Sequence, residues 1–191
     1  MAKVRVVCRG LSPLLLDPAT DHLVDNLITG VNPGKDRRPA EEQAKSKLLI
    51  NEQGDYYIPA TWLYASLREA GREVDYKPRI KITSNRGTKL FSFLVIEEEN
   101  LVLTDSNGGK PSWKTDKRKG VNPNGGEAVA ICRPRFDDWG FSCNLEVEPE
   151  ITLDKVRTLF EIAGKHCGLG SFRPQKGGPF GRFQVVKWEV Y

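Results

Sequence analysis

The order of the hydrophobic patterns predicts an α+β protein with a ferredoxin-like or RRM-like βαββαβ core, in which two helices pack on an antiparallel sheet. Three observations lead to this class: a strand pattern opens the chain, strand patterns separate two amphipathic helices, and a strand pattern closes it. Residues 17–55 and 105–127 lack periodicity, and we interpret them as insertions after the first strand and in mid-chain. With 191 residues, 39% of them hydrophobic, the chain suits a single domain spanning 1–191.

Alternation and helical spacing define the first half of this core. Residues 3–8 (KVRVVC) alternate between polar and apolar side chains, as a half-buried strand does. A helix is predicted over 61–72, with Thr61 as its N-cap and Gly71 at its exit. Its buried stripe consists of Leu63, Leu67 and Ala70. The strands that follow have the sequences RIKIT, KLFSFLVIEE and NLVLTD.

The second half again combines strands with one helix. The segments AVAICRPRF and GFSCNLEVE are predicted strands on either side of the turn DDWG. The second helix follows Thr152, its predicted N-cap, and ends at Gly168. The last strand is RFQVVKWEV, and a short helix near 40–47 is expected within the first insertion.

Positive charge is concentrated in loops, although the net charge is only +4. The segments richest in cations are KPSWKTDKRKG, FRPQKGGPFGRF and GKDRRP. The acids gather instead in VIEEEN and LEVEPE. This separation predicts an anionic partner, and the alternative is that the loops are basic only because they are solvated.

A glycine-rich loop, residues 168–182, joins the last helix to the last strand. Glycine permits positive φ and close approach, so backbone N–H groups and nearby cations can form an anion cradle. The glycines are Gly168, Gly170, Gly177, Gly178 and Gly181, and the cations are Arg173, Lys176 and Arg182. Phe172 and Phe180 are interpreted either as stacking faces or as anchors of the loop. The loop follows a helix and lacks GxxxxGK(S/T), so it is neither a Walker A loop nor a Rossmann turn.

Two segments resemble the RAMP superfamily, the repeat-associated proteins of CRISPR effector complexes. YYIPATWLYASLREAG resembles the start of the superfamily's first helix. FSCNLEVEPEITLDKVRTLFEIAGKHCGLGSFRPQKGGPFGRFQV resembles its ending, with a strand, a helix, a glycine-rich loop and a last strand. Within the superfamily, the most similar group is the backbone subunit that polymerises along guide RNA.

The resemblance implies one ferredoxin-like domain with a protruding thumb. Residues 105–127 would be this basic hairpin or thumb-like excursion, and 17–55 would be the insertion that faces the RNA. The first helix would lie beside the RNA. Outside the glycine-rich loop, the expected RNA-binding residues are Arg68, Arg72, Lys110, Trp113, Lys114, Lys117, Arg118 and Lys119. Trp113 is the preferred stacking candidate, because its polar neighbours would not bury it.

The expected function is therefore that of an RNA-binding backbone subunit that multimerises along guide RNA through sequence-independent backbone contacts. Its partners would be guide RNA, target RNA or DNA, other subunits of an effector complex and further copies of itself. One alternative is a RAMP-type ribonuclease that uses a loop aspartate with a metal, or a histidine. Its candidates are Asp17, Asp21, His22, Asp25 and Asp36. The other alternative is an interaction module for an acidic protein or a nucleotide-like molecule.

Several other classes are disfavoured by the sequence. No apolar run approaches the roughly 20 residues that span a bilayer, and Arg9, Gly10 and Pro13 interrupt the apolar stretch near the N-terminus. We therefore expect a cytoplasmic protein without a membrane partner. The four cysteines form no CxxC pair, and His22 and His166 are not at ligand spacing, so neither a metal nor a cofactor is expected.

Overall fold

The structure is a computed structural model that describes residues 1–19, 21–30, 36–121, 126 and 128–191, without the side chains of 21–23, 27 and 121. The strands are β1 (Ala2–Gly10), β2 (Leu14–Leu15), β3 (Tyr57–Pro59), β4 (Asp75–Lys77), β5 (Ile80–Lys81), β6 (Thr83–Ser84), β7 (Gly87–Thr88), β8 (Leu94–Ile96), β9 (Asn100–Val102), β10 (Lys114–Val121), β11 (Ala128–Phe136), β12 (Gly140–Val147) and β13 (Phe183–Val190). The helices are α1 (Asp21–Thr29), α2 (Ala40–Lys45), α3 (Ala60–Ala70), α4 (Leu90–Phe93) and α5 (Leu153–Ile162), which the π-helical turn Ala163–Cys167 extends.

A four-stranded antiparallel sheet with helices on one face forms the core. Its strand order is β13-β1-β12-β8, and each neighbouring pair is antiparallel. Alternation along β1 buries Val4, Val6 and Cys8, and side chains of α3 and α5 join them in one hydrophobic cluster. The predicted α+β class with antiparallel sheets is therefore confirmed.

The helix ends agree with the sequence in part. The first long helix begins at Ala60 rather than after Thr61, because Pro59 adopts the extended conformation of an N-cap. Thr152 is the N-cap of α5, as predicted, although its side chain makes no capping hydrogen bond. The chain leaves the π-helical turn at Gly168, whose φ of +72° suits glycine.

The segments RIKIT and KLFSFLVIEE are less extended than predicted. The first contributes only the two-residue strands β5 and β6. In the second, Leu90 and Phe93 are both buried because a single helical turn, α4, brings side chains three residues apart onto one face. Only Leu94–Ile96 of this segment pairs in the main sheet.

The basic mid-chain segment contributes to a second, three-stranded sheet of order β10-β11-β2. β10 pairs with β11 from Lys114 opposite Arg135 to Val121 opposite Ala128. The strands on either side of DDWG thus belong to different sheets. Trp139 of this turn is buried against Gly10, and its indole nitrogen donates to the Ser12 oxygen at 2.8 Å. Residues 122–125 and 127 of the predicted excursion lie outside the described residues.

Two further observations concern the cysteines and the length of the helices. All four cysteines are buried and free. Within the described ranges, no helix combines the length and the apolar character that crossing a bilayer requires.

Candidate nucleic-acid interface

The glycine-rich loop is folded back on itself by its glycines. Gly168, Gly170, Gly177 and Gly181 have φ between +69° and +74°, a region that residues with a Cβ disfavour. A Cβ at Gly181 would overlap the backbone carbonyl of Leu169. The Leu169 N–H donates to the Gly181 oxygen at 2.9 Å, which ties the two ends of the loop together.

Most of the loop amides are used inside the protein, which differs from the expectation that they cradle an anion. Seven of them donate to backbone carbonyls at 2.8–3.0 Å: Gly168, Leu169, Ser171, Lys176, Gly177, Gly178 and Gly181. Because each N–H has one hydrogen to donate, these groups are already satisfied. Four of the five loop glycines, Gly168, Gly177, Gly178 and Gly181, therefore shape the loop with their amides rather than cradle an anion.

A cavity of about 350 Å³ lies between this loop and the β10–β11 hairpin. Two of the cations that line it come from β10, one from β11 and two from the loop. They are Arg118, Lys119, Arg133, Arg173 and Lys176. Ile131, Ser171 and Phe172 complete the lining, so no acid lines it among the described residues. We call these eight residues the cationic groove.

A second cavity, of about 330 Å³, adjoins the cationic groove and shares Ser171 and Arg173 with it. Trp62 and Ala65 of α3 form one wall of this side cavity, and Asp17 forms another. The two cavities therefore follow the loop from the hairpin to the first long helix.

Two of the groove cations are neutralised by aspartates. Arg118 donates two hydrogen bonds to Asp116, at 2.7 and 3.1 Å, and this carboxylate raises the pKa of the guanidinium. Asp116 is buried, with 8% of its surface exposed. Arg133 lies 2.8 Å from Asp17. In both pairs the aspartate compensates the positive charge, so these two arginines stabilise the groove but add little to its net charge.

The other three cations have no acidic partner among the described residues. Arg173 hydrogen bonds only to neutral groups, the Gln175 side chain and the Gly170 oxygen. Within the part of the chain that the structure describes, the side chains of Lys119 and Lys176 have neither a hydrogen-bonded nor an ionic partner. Three uncompensated positive charges in one groove create a potential that attracts a polyanion.

An aromatic cluster supports the groove. The guanidinium carbon of Arg118 lies 4.5 Å from the ring centre of Phe180 and 5.9 Å from that of Phe172, within cation–π range. The two rings are 6.0 Å apart. Phe180 is buried and anchors the loop, whereas 39% of the surface of Phe172 is exposed.

Arg182 attaches the end of the loop to the residues that follow β1. Its backbone N–H donates to the Ser12 hydroxyl at 3.0 Å, and its oxygen accepts a hydrogen bond from Leu11 at 2.7 Å. Its Nε is buried without a partner among the described residues. Arg182 does not line either cavity, so its contact with RNA stays a prediction.

Trp113, Lys110 and Lys114 also lie outside the two cavities. Trp113 is half-buried against the hydrophobic core, which differs from the expectation that nothing would bury it. The Lys110 ammonium lies 4.4 Å from the ring centre of Tyr56. Lys114 forms an ion pair with Asp137 and lowers the pKa of that carboxyl.

Arg68 of α3, Arg72 just after α3 and Lys117 of β10 are exposed. Arg72 binds the Glu69 carboxylate at 3.1 Å and the Asn85 oxygen at 3.2 Å, so part of its charge is neutralised. Arg68 and Lys117 have no side-chain partner within the described ranges. None of the three lines either cavity, and their contact with RNA stays a prediction.

The acidic candidates of the first insertion have separate surroundings. Asp36 accepts hydrogen bonds from Arg38, which lower the pKa of this carboxyl. Asp25 is exposed on α1, and the side chains of Asp21 and His22 lie outside the described residues. In the described part of the chain, no three His, Cys, Asp or Glu side chains are grouped closely enough to hold a metal ion.

Asp17 connects two cations across the side cavity. Its carboxylate lies 2.8 Å from Lys47, just after α2, and 2.8 Å from Arg133 of β11. Only 13% of the Arg133 side chain and 28% of the Asp17 side chain are exposed, so the pair is partly shielded from water. Asp17 therefore joins the segment after β2 to the hairpin.

Asp17→Asn should lower the free energy of unfolding by about 1–2 kcal/mol, because two partly buried cations lose their carboxylate. Urea denaturation followed by circular dichroism measures this loss. Asp25→Asn is the matched control, since Asp25 is exposed on α1 and should change stability by less than about 0.5 kcal/mol. Equal stability of both variants would show that Asp17 does not tie the hairpin down.

Sequence reasoning did not assign Arg133 or Trp62 to the site, although both line these cavities. Arg133 lies in AVAICRPRF, which we interpreted only as a strand, although a cation at alternate positions of that strand was a visible signal. Trp62 lies in the predicted first helix but was not named as a site residue, and it is half-buried and lines the side cavity. Neither residue could be assigned to a cavity from the sequence, because the residues that surround each of them in space are distant in the chain.

The fold and the groove together define an α+β protein with antiparallel sheets and a cation-lined cleft. Its structure is similar to a chain of the Type III-B Cmr-beta complex bound to cognate target RNA. The TM-score is 0.55 and the identity 15%, and the match covers 99% of this chain and 60% of that chain. The chain thus spans about 60% of the length of that neighbour.

A further similar structure is Cmr6 from Pyrococcus furiosus, with a TM-score of 0.49, an identity of 12% and coverage of 96% of this chain and 98% of that chain. No protein-family model matches the chain, and no curated protein matches its sequence. The likeness to the Cmr-beta chain is one of fold alone.

Proposed function

We propose that the chain is an RNA-binding subunit of a CRISPR type III ribonucleoprotein complex and that the cationic groove holds the RNA backbone. One observation carries the proposal: five cations from the hairpin and the glycine-rich loop line a single cavity that no described acid lines. Phosphates suit such a site because each carries a charge and arginine can bind two of its oxygens. The likeness in fold to a chain of the Cmr-beta complex supports this choice among polyanions.

We further propose a topology for the core and a mode of assembly along RNA. The sheet of order β13-β1-β12-β8, with α3 and α5, would be the ferredoxin-like βαββαβ core of a single domain. The β10–β11 hairpin would be the thumb-like projection. In the cytoplasm, copies of the chain would assemble side by side along guide RNA, next to other subunits and to target RNA or DNA. Binding would be independent of sequence, because phosphates carry no sequence information.

The salt dependence of RNA binding tests the groove. On single strands, log K falls with log salt at a slope of about −0.7 per neutralised phosphate. The three uncompensated cations predict a slope of about −2, and engagement of all five lining cations would give about −3.5. Fluorescence anisotropy with labelled single-stranded RNA at several salt concentrations measures it. A flat salt dependence would contradict phosphate binding.

Arg173→Ala combined with Lys176→Ala should weaken RNA binding about tenfold for each lost contact and reduce the slope by about 1.4. The control combines Arg157→Ala with Lys187→Ala, which removes the same charge from exposed residues outside the groove. The control should keep nearly the full affinity. If both double variants lose affinity equally, attraction is a property of net charge and the groove is not the site.

The same samples test assembly and cleavage. On RNAs of increasing length, native electrophoresis should give a ladder of complexes in which each step adds one copy of the chain. A single complex at every length would contradict side-by-side assembly.

RNA cut during incubation with magnesium, and left intact with EDTA, would favour the ribonuclease alternative.

A further inference from the structure

Phe172 occupies an unfavourable position for a large apolar residue. Its φ is +52°, in the left-handed region where bulky side chains are outliers. It also lines the cationic groove with 39% of its surface exposed, although burial would be more favourable for a phenylalanine. Backbone strain of this kind persists where the surroundings enforce it, and it occurs often at ligand-binding positions.

The neighbours of Phe172 support its ring from one side. A Cβ at Gly178 would collide with the Phe172 ring and carbonyl, so the backbone approaches the ring closely there. Phe180 and the Arg118 guanidinium also lie within 6.0 Å of the ring centre. Arg118 cannot turn away freely, because both of its hydrogen bonds go to the buried Asp116. The ring is therefore fixed from behind and exposed towards the groove.

The groove that Phe172 lines also contains the three cations that no described acid neutralises. Arg173 follows Phe172 directly in the chain, and Lys176 and Lys119 line the same cavity. Proteins that bind single-stranded nucleic acids provide this arrangement: a base stacks on the aromatic ring, and the phosphates contact the cations.

We propose that Phe172 is a stacking platform for one unpaired nucleobase, while Arg173, Lys176 and Lys119 hold the flanking phosphates. This inference rests on the proposed function and narrows its substrate to single-stranded nucleic acid. In a duplex, both faces of each base are covered by its neighbours in the stack, so the platform has nothing to bind. Arg118 is then a positioning residue: it supports the platform and leaves the phosphates to other cations.

Phe172→Gly tests the platform because glycine adopts positive φ readily, so the variant loses the ring without a new backbone strain. Binding of a labelled single-stranded RNA should weaken about tenfold, the effect of losing one stacked base. The salt slope should stay unchanged, since the ring carries no charge, whereas Arg173→Ala with Lys176→Ala changes the slope. Phe172→Trp should keep the affinity, and a thermal melt should show that Phe172→Gly is folded.

A direct readout of stacking uses RNA that carries 2-aminopurine, whose fluorescence is quenched when the base stacks. Quenching should accompany binding to the wild-type chain and disappear with Phe172→Gly. The inference is overturned if Phe172→Gly binds single strands as tightly as the wild type, or if the wild type binds duplex RNA equally well. Wild-type protein that binds no RNA at all would instead overturn the proposed function, and this inference with it.

Discussion

Gly181→Ala should lower the free energy of unfolding by about 3–4 kcal/mol, although it adds one methyl group. Two costs combine at this position. The φ of +69° is unfavourable for alanine, and the new Cβ would overlap the Leu169 carbonyl. Leu169 cannot move away cheaply, because its N–H is hydrogen-bonded to Gly181 itself. Chemical denaturation followed by tryptophan fluorescence measures the loss.

Gly177→Ala is the matched control for this prediction. Its φ of +74° is nearly the same, but a Cβ there would meet nothing within 4 Å. The backbone cost alone should lower stability by about 1 kcal/mol. If Gly181→Ala cost no more than Gly177→Ala, the close return of the chain at Leu169 would be wrong.

Asp116→Ala should cost about 3 kcal/mol or more, because it leaves Arg118 without the carboxylate that binds it twice. Only 7% of the Asp116 side chain is exposed, so water cannot replace the lost hydrogen bonds fully. Arg135 also lies 3.9 Å from this carboxylate and would lose part of its compensation. Urea denaturation measures the effect, and RNA binding should weaken because Arg118 no longer supports the Phe172 ring.

Asp36→Ala is an internal control of the same chemistry. Asp36 and Arg38 form the same two-residue-spaced pair, in which both the guanidinium and the backbone N–H of Arg38 donate to the carboxylate, but 40% and 51% of their side chains are exposed. An exposed pair contributes at most about 1 kcal/mol. The difference between the two substitutions isolates the effect of burial. Similar losses would mean that the Asp116 pair is not shielded from solvent.

Local patterns were sufficient for the elements of the core. The alternation over 3–8 lies within β1, and the stripe of Leu63 and Leu67 lies on α3, because both periods follow from local backbone geometry. The exit at Gly168 could likewise be predicted, since positive φ is a property of one residue. KLFSF was misassigned because a short apolar run fits a strand and a helical turn equally well.

The candidate site could be predicted only in outline. The sequence identified the glycine-rich loop and the basic segment 110–120 as its two parts, but it offered no reason to join them through Arg133. It also suggested that loop amides would face a ligand, whereas the structure uses seven of them in short backbone hydrogen bonds. Trp113 was expected at the surface but is half-buried against the core, where it directly precedes strand β10.

The amino-acid sequence by itself determined the α+β class, the position of the loop and the local excess of cations, since these depend on residues close together in the chain. Tertiary structure decided which cations share a groove and which are neutralised. Asp17 meets Arg133, and Phe172 meets Arg118, only because strand register and the return of the loop towards β2 bring distant segments together. Such distances are set by long-range packing, which no local period encodes.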